Sequence, residues 1–181
     1  MKFIETKLSG CFILEPKIFE DERGYFIEAF NQSVFEKGIS ERTRFVQDNQ
    51  SRSSYGVVRG LHYQTGKFAQ AKLVRVLKGR VLDVAVDLRP ESPTYGMHIS
   101  CELTAKNKKQ MFVPRGFAHG FSVLSENAEF FYKCDNFYNK EAEAGIIYND
   151  TSLKIDWGLD PSEIIVSLKD KKLPKLQNAI L

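Results

Sequence analysis

The sequence predicts an all-β fold, a sandwich or barrel with few helices. Short runs rich in β-branched and aromatic residues recur along the chain, divided at fairly regular intervals by Gly, Pro, Asn and Ser. Residues 80–88 alternate strictly, with Leu82, Val84, Val86 and Leu88 facing one way and Asp83, Ala85 and Asp87 the other. A length of 181 residues suits one domain with room for a sizeable core, so residues 1–181 are read as a single unit.

Taken in order, strands are expected at "CFILEP", "YFIEAF" and "YGVVRGLHYQ". The run 72–88, "KLVRVLKGRVLDVAVDL", reads as a hairpin turning at Lys78-Gly79, because glycine supplies the positive φ of a tight turn. One face of its second arm should be wet or line a polar cavity. Further strands are expected at "MHISCEL", "QMFVP", "HGFSVL" and "AEFFYKC". A short helix is expected at "NQSVFEKG", capped near Ser33 and stopped by Gly38, with weaker helical stretches at "NKEAEAG" and near the C-terminus. The tail "DPSEIIVSLKDKKLPKL" carries too much charge and proline to be core throughout and reads as a wrap across the sheet.

Composition narrows the function. At 43% hydrophobic and 27% charged the chain is ordinary globular protein, without low-complexity tracts or repeats. A net charge of +3 with no basic block gives no ground for a nucleic-acid partner. No run approaches membrane-spanning length, so no membrane role is expected and a cytoplasmic location is. Cys11, Cys101 and Cys134 are an odd number without C-x-x-C spacing, and read as reduced core thiols.

The chemistry must then sit in ordinary side chains. Of three histidines, His98 lies in an alternating strand and reads as a surface or interface imidazole, whereas His119 closes "PRGFAH" at the start of a strand. The spacing P-x-G-x-x-H at 114–119 resembles the second metal-binding motif of the cupin superfamily, small jelly-roll barrels. The first motif of metal-binding cupins is H-x-H with a following Glu; here "GLHYQ" puts Gln64 where the second His would stand. Two isolated histidines fall short of a transition-metal ligand set, so a metal-free barrel is expected.

Without a metal, His62 is the best proton acceptor, since its ordinary pKa lies near neutrality. Its orienting partner, by residue type, could be Asp83, Asp87 or Asp170. Lys72 could stabilise an oxyanion and Tyr132 return a proton, which together describe proton abstraction beside a carbonyl. Each also has a structural reading: a core tyrosine with a satisfied hydroxyl, a solvated strand-end lysine. Arg59 and His62 fall on opposite faces of a regular strand, so both can reach one cavity only if Gly60 marks a bulge or break.

Longer blocks carry a more specific likeness. "FEDERGYFIEAF" (19–30), "FVQDNQSRSSYGVVRGLHYQ" (45–64), "AQAKLVRVLKGRVLDVAVDLRPESPTYG" (69–96), "VPRGFAHGFSVL" (113–124), "YNDTSLKIDW" (148–157) and "SLKD" (167–170) resemble, in order, the dTDP-4-dehydrorhamnose 3,5-epimerase family. The resemblance implies a homodimeric cupin-type jelly-roll barrel with a few short peripheral helices. It implies an isomerase that, without cofactor or metal, inverts C3 and C5 of a dTDP-linked 4-keto-6-deoxy sugar on the way to dTDP-L-rhamnose. Carried over by motif, His62 is the base, Asp170 its partner, Tyr132 the acid and Lys72 the enolate stabiliser. Arg23 and Arg59 meet the diphosphate or sugar; Glu28, Gln47, Asp48 and Asn49 contact the nucleotide; Tyr138 stacks on thymine. His119, Glu143 and Lys169 complete the pocket. The N-terminal "KFIETKLSGCFILEP" is expected to pair with the neighbouring barrel.

Rival expectations are a 3-epimerase or an enzyme of another nucleotide-linked 4-keto-6-deoxy sugar, a non-catalytic sugar-binding jelly roll, and a metal-dependent cupin oxygenase. The full set of His62, Lys72, Tyr132 and Asp170 argues against the second, and the missing H-x-H against the third.

Overall fold

Alternating side chains need two environments, and a pair of facing sheets supplies them. The computed structural model, which describes residues 1–181, has thirteen strands and one α-helix. In chain order these are β1 (Lys2–Glu5), β2 (Phe12–Glu15), β3 (Ile18–Asp21), β4 (Gly24–Ile27), α1 (Gln32–Ile39), β5 (Gln47–Ser54) and β6 (Val58–Gln64). There follow β7 (Lys72–Lys78), β8 (Arg80–Asp87), β9 (His98–Thr104), β10 (Gln110–Val113), β11 (Phe117–Val123), β12 (Asn127–Cys134) and β13 (Glu143–Gly145). A six-stranded sheet runs β1-β2-β10-β7-β12-β5, a five-stranded sheet β13-β6-β11-β8-β9, and β3-β4 forms a separate ribbon. The fold is all-β, as expected.

Between the sheets lies a core of Val74, Val76 and Phe130 from the first and Val81, Ala85, Phe121 and Val123 from the second. The outer face of the second sheet is covered too: Val58, Leu61, Val84, Val86 and Ala118 pack under Ile146, Leu153, Trp157 and Val166 of the C-terminal segment. That segment does wrap the sheet. It follows the open edge of β6, where Val58 N–H donates to Ile165 O and Ile165 N–H to Gly56 O, at 2.9 and 2.8 Å. Neither face of β8 is therefore wet; Asp83 and Asp87 are fully buried on the inner one.

The expected hairpin at Lys78-Gly79 is not one. β7 and β8 lie in different sheets, and Gly79, with φ 80°, is the corner where the chain crosses between them. Ala105 N–H donates to Gly79 O, and Ser125 Oγ accepts from Arg80 N–H. Two alternating runs divided by glycine fit a hairpin and a sheet-to-sheet corner equally well. The helix forms where expected, but its cap is Asn31, whose side chain accepts from Val34 N–H, and it ends at Ser40 in the left-handed region (φ 58°). Gly38 lies inside the helix, where a Cβ would strike the Phe3 ring. "NKEAEAG" makes only a single 3₁₀ turn, Lys140–Ala142, before β13. Within its own chain the N-terminal segment pairs β1 with β2 and β2 with β10, and leaves β1 as the edge of the six-stranded sheet.

Asp87 anchors the loop after β8. Burial alone would raise its carboxyl, but it accepts from Arg89 N–H, Nε and NH2, Ser92 Oγ and Thr94 Oγ1, which together hold it well below the usual carboxylate range. A depressed folded pKa contributes stability that is present above the unfolded value near 3.9 and fades as pH falls toward the folded one. Asp87→Ala should therefore cost about 1.5–3 kcal/mol at neutral pH. Denaturant melts of both proteins, repeated at falling pH, should show the difference shrinking in acid.

Candidate active site

Inward-facing positions of both sheets converge on one cleft. Its inner half, a cavity of about 400 Å³, is lined by Arg59, His62, Lys72, His119, Tyr132 and Asp170 over a floor that includes Phe121 and Phe130. A second cavity of about 280 Å³ shares His62, Lys72 and Tyr132 and continues past Gln47, Asn49, Tyr138 and Glu143. The cleft is elongated, with its cationic and titratable groups toward one half and amides and an aromatic toward the other.

Strand β6 places two of these groups by a bulge. His119 pairs with His62 and Phe121 with Arg59, so Gly60 and Leu61 together oppose the single residue Gly120. Leu61 turns outward into the covered face, and Arg59 and His62 both reach the cleft. Gly60 has φ 127°, and a Cβ there would sit 2.6 Å from Gly120 Cα, so both the conformation and the close approach require glycine. The break expected at Gly60 is present.

His62 Nε2 lies 2.9 Å from Asp170 Oδ1. The other carboxylate oxygen accepts from the Gly60 N–H at 3.3 Å. Burial alone would raise Asp170, but the His62 bond and charge, the Gly60 N–H and the Ser167 hydroxyl outweigh it and keep the carboxyl below its ordinary range. An ionised Asp170 accepts the Nε2–H of neutral His62 and leaves the Nδ1 lone pair as the basic atom. Of the three aspartates open from residue type, the other two are engaged elsewhere: Asp83 with His119 at 2.9 Å, and Asp87 with Arg89.

Lys72 at the start of β7 and Tyr132 on β12 face the same cavity, with the ammonium 5.9 Å from the Tyr132 ring centre. Burial pushes Lys72 down, opposed by Cys134, Asp83 and Glu143. Burial pushes the Tyr132 phenol up, so it is protonated at neutral pH and able to donate. Arg59 Nε donates to Ser53 Oγ at 3.0 Å, which steadies a guanidinium on the wall of the cleft. Around the other half, Tyr138 O–H and Lys169 Nζ both donate to Glu143 Oε2, at 2.9 and 2.7 Å, and lower Glu143 against its burial. Gln47 Oε1 accepts from Tyr138 N–H, and Gln47 Nε2 donates to Asn49 Oδ1.

Three expected site residues lie outside this cleft, and a fourth, Lys169, reaches it only through its bond to Glu143. Asp48 follows the strand period: Gln47, Asn49 and Ser51 point inward on β5, and Asp48 points outward to Lys133, 2.9 Å away. Arg23 sits at the tip of the β3–β4 ribbon in an exposed pair with Asp21, and Glu28 accepts from Asn31 beyond the ribbon. In exchange, the structure adds Ser51 to the cleft wall and shows what holds Gln64 in place. The Gln64 side chain donates to Phe68 O and Phe137 O and accepts from Asn139 N–H, clamping the backbone on either side of Tyr138. Ser51 is legible only to a reading that sees 47–54 as a strand. The residues do not fit a metal-binding cupin. No three His, Cys, Asp or Glu side chains converge, both cleft histidines turn Nε2 to a carboxylate, and Gln64 is committed to backbone.

A histidine held by a carboxylate, a recessed ammonium and a protonated phenol around one cleft of a jelly roll are the parts that acid–base chemistry beside a carbonyl needs. The model of the dTDP-4-dehydrorhamnose 3,5-epimerase family matches residues 5–178. The chain belongs to that family, which is one of epimerases. It is 50% identical over 180 residues to the dTDP-4-dehydrorhamnose 3,5-epimerase of Escherichia coli strain K12, covering 99% of this chain and 97% of that one. The crystal structure of the enzyme of that name from Elizabethkingia anophelis NUHP1 superposes with a TM-score of 0.95 at 57% identity, covering 98% and 97% of the two chains. A Legionella pneumophila Philadelphia 1 dTDP-6-deoxy-D-glucose-3,5-epimerase, solved with dTDP-4-keto-L-rhamnose, superposes at 0.94 with 47% identity over 98% and 93%.

Proposed function

We propose that this cleft inverts C3 and C5 of dTDP-4-dehydro-6-deoxy-D-glucose through enolate intermediates, giving dTDP-4-dehydro-L-rhamnose. The observation that carries this reading is the His62–Asp170 pair opening on the same cavity as Lys72 and Tyr132. The hydrogens on C3 and C5 both flank the C4 ketone, so one cation at the C4 oxygen serves two successive deprotonations. His62 Nδ1 takes each proton while Asp170 stabilises the imidazolium. Lys72 holds the enolate oxygen. Tyr132 returns a proton from the opposite face, which inverts the carbon. Arg59 meets the diphosphate by charge-assisted bonds. Tyr138 stacks on thymine, Gln47 and Asn49 bind the nucleotide, and His119, Glu143 and Lys169 close the pocket.

The working unit in this proposal is a homodimer. The β3–β4 ribbon exposes Phe19, Tyr25 and Phe26 at 50, 55 and 68%, apolar surface of the kind that marks an interface. Arg23 and Glu28 lie on or beside this ribbon and away from their own cleft, so their place in the site is in a second copy's cleft, reached by the ribbon. A diphosphate would then meet Arg59 of one subunit and Arg23 of the other. Sedimentation should find a dimer at assay concentration; a stable, fully active monomer would refute the shared site. The enzyme of this proposal is a single cytoplasmic domain, and its three free thiols suit a reducing compartment. No helix is long and apolar enough to cross a membrane.

Incubation with dTDP-4-keto-6-deoxyglucose in D₂O tests the reaction. Deuterium at both C3 and C5 is expected, and label at C3 alone would select a 3-epimerase. For Tyr132→Phe, epimerised product should fall sharply while deuterium still enters C3 or C5 of recovered substrate of unchanged configuration, because His62 and Lys72 still make the enolate. L-configured product at close to the wild-type rate would make Tyr132 a core tyrosine.

A further inference from the structure

Asp83 lies in the middle of β8, fully buried, and takes no part in the proton transfers above. Its Oδ1 is 2.9 Å from His119 Nε2, and its Oδ2 has no hydrogen-bond partner. It sits on β8 between the core positions Val81 and Ala85 and opposite Phe121 of β11, all part of the inter-sheet core. A carboxylate in such a place, with one oxygen unpaired, is a poor packing choice, since an apolar side chain would fill the same space without a desolvation cost. Buried titratable pairs of this kind gather at functional sites. His119 itself stacks at 6.0 Å on Phe130, lines the sugar half of the cleft, and stands opposite His62 in the β6–β11 register. Two histidines from neighbouring strands thus face one cavity, each with Nε2 turned back to a buried aspartate.

We propose that Asp83 is a positioning residue for the epimerisation, holding His119 by its Nε2–H so that Nδ1, the ring nitrogen without a protein partner, accepts a hydrogen bond from a hydroxyl of the bound sugar. This rests on the epimerase reading. The two pairs divide the work. The His62 pair exchanges protons with substrate, and the His119 pair keeps a fixed tautomer that orients the ring being deprotonated. Burial pushes the Asp83 carboxyl up, opposed by the His119 contact and by Lys72, and in its ionised form the same carboxylate helps keep Lys72 charged. Lys72 faces Tyr132 and Cys134 on β12, Asp83 on β8, His119 on β11, His62 on β6 and Glu143 on β13. Asp83 in turn faces His119, Lys72 and the thiols of Cys11 and Cys101. Burial pushes those thiols up to about 12 and about 11, so they are uncharged at working pH and leave Lys72 and His119 as the groups that feel the Asp83 anion.

The test is Asp83→Asn, which preserves shape, removes the charge and lets its amide NH₂ donate to His119 Nε2 and reverse the tautomer. We expect kcat to fall about 10- to 100-fold, the range for losing a carboxylate that orients a working histidine, with dTDP affinity unchanged. Loss of the anion lowers Lys72 further, so its ammonium disappears at a lower pH and the alkaline limb of the kcat profile moves down. A folded variant with wild-type kcat and an unmoved alkaline limb would overturn the proposal and leave Asp83 a structural residue. Should the variant fail to fold, ¹⁵N NMR of the wild-type histidines decides: His119 protonated on Nε2 near neutral pH supports the proposal, and Nδ1–H contradicts it. Wild-type protein that exchanges nothing at C3 or C5 would sink the epimerase reading, and with it this role, whatever the tautomer.

Discussion

One hydrogen-bonded carboxylate organises the site. Asp170 reaches round the edge of the second sheet from the C-terminal segment and accepts from His62 through one oxygen and from the Gly60 N–H through the other. The Gly60 N–H faces the open edge of β6, the side on which Val58 N–H donates to Ile165 O, and left buried without a partner it would be costly. So the strand whose distortion brings Arg59 and His62 into one cleft also presents, on its open edge, a donor that holds Asp170. Edge, bulge and tail are mutually dependent. β13 pairs with only the last three residues of β6, which leaves the earlier stretch open for residue 165 and, five residues on, Asp170.

The sandwich makes such a site possible because its two sheets offer inward positions at regular spacing. Lys72, Tyr132 and Asn49 come from one sheet and Arg59, His62 and His119 from the other, each on the inner face of its strand. Apolar residues farther along the same faces fill the core, so the cleft is where the interior pattern changes from valine and phenylalanine to titratable groups. Low dielectric there raises the Tyr132 phenol, which keeps it protonated, and depresses the Lys72 ammonium, a shift that Cys134, Asp83 and Glu143 oppose.

Much of this is legible in the sequence, and the exceptions have physical reasons. The strands of both sheets that alternate apolar and polar residues can be read directly, as can the need for a break at Gly60. Gln47–Ser54 cannot, because its eight residues, QDNQSRSS, are all polar: the strand borders a wet cleft on one face and solvent on the other. Without that strand Asp48 is misplaced, since period two along 47–51 puts it outward. Gly79 reads as a hairpin turn because pairing partners are not local information. The choice among Asp83, Asp87 and Asp170 depends on where the tail runs, which no spacing reveals. Arg23 and Glu28 are named by motif, but a motif does not say where a ribbon lies, and here both sit outside their own chain's cleft.

In the proposed reaction His62 works as a base because Asp170 holds it, and the other assigned roles presuppose that pair. The direct measurement is the rate at which solvent deuterium enters C3 and C5 of dTDP-4-keto-6-deoxyglucose with Asp170→Asn, alongside its dTDP affinity and thermal melt. A fall of at least about 10²-fold is predicted, with affinity near wild type and the fold retained. Exchange at close to the wild-type rate in a folded Asp170→Asn enzyme would contradict this role, and would require the proton acceptor to be another group.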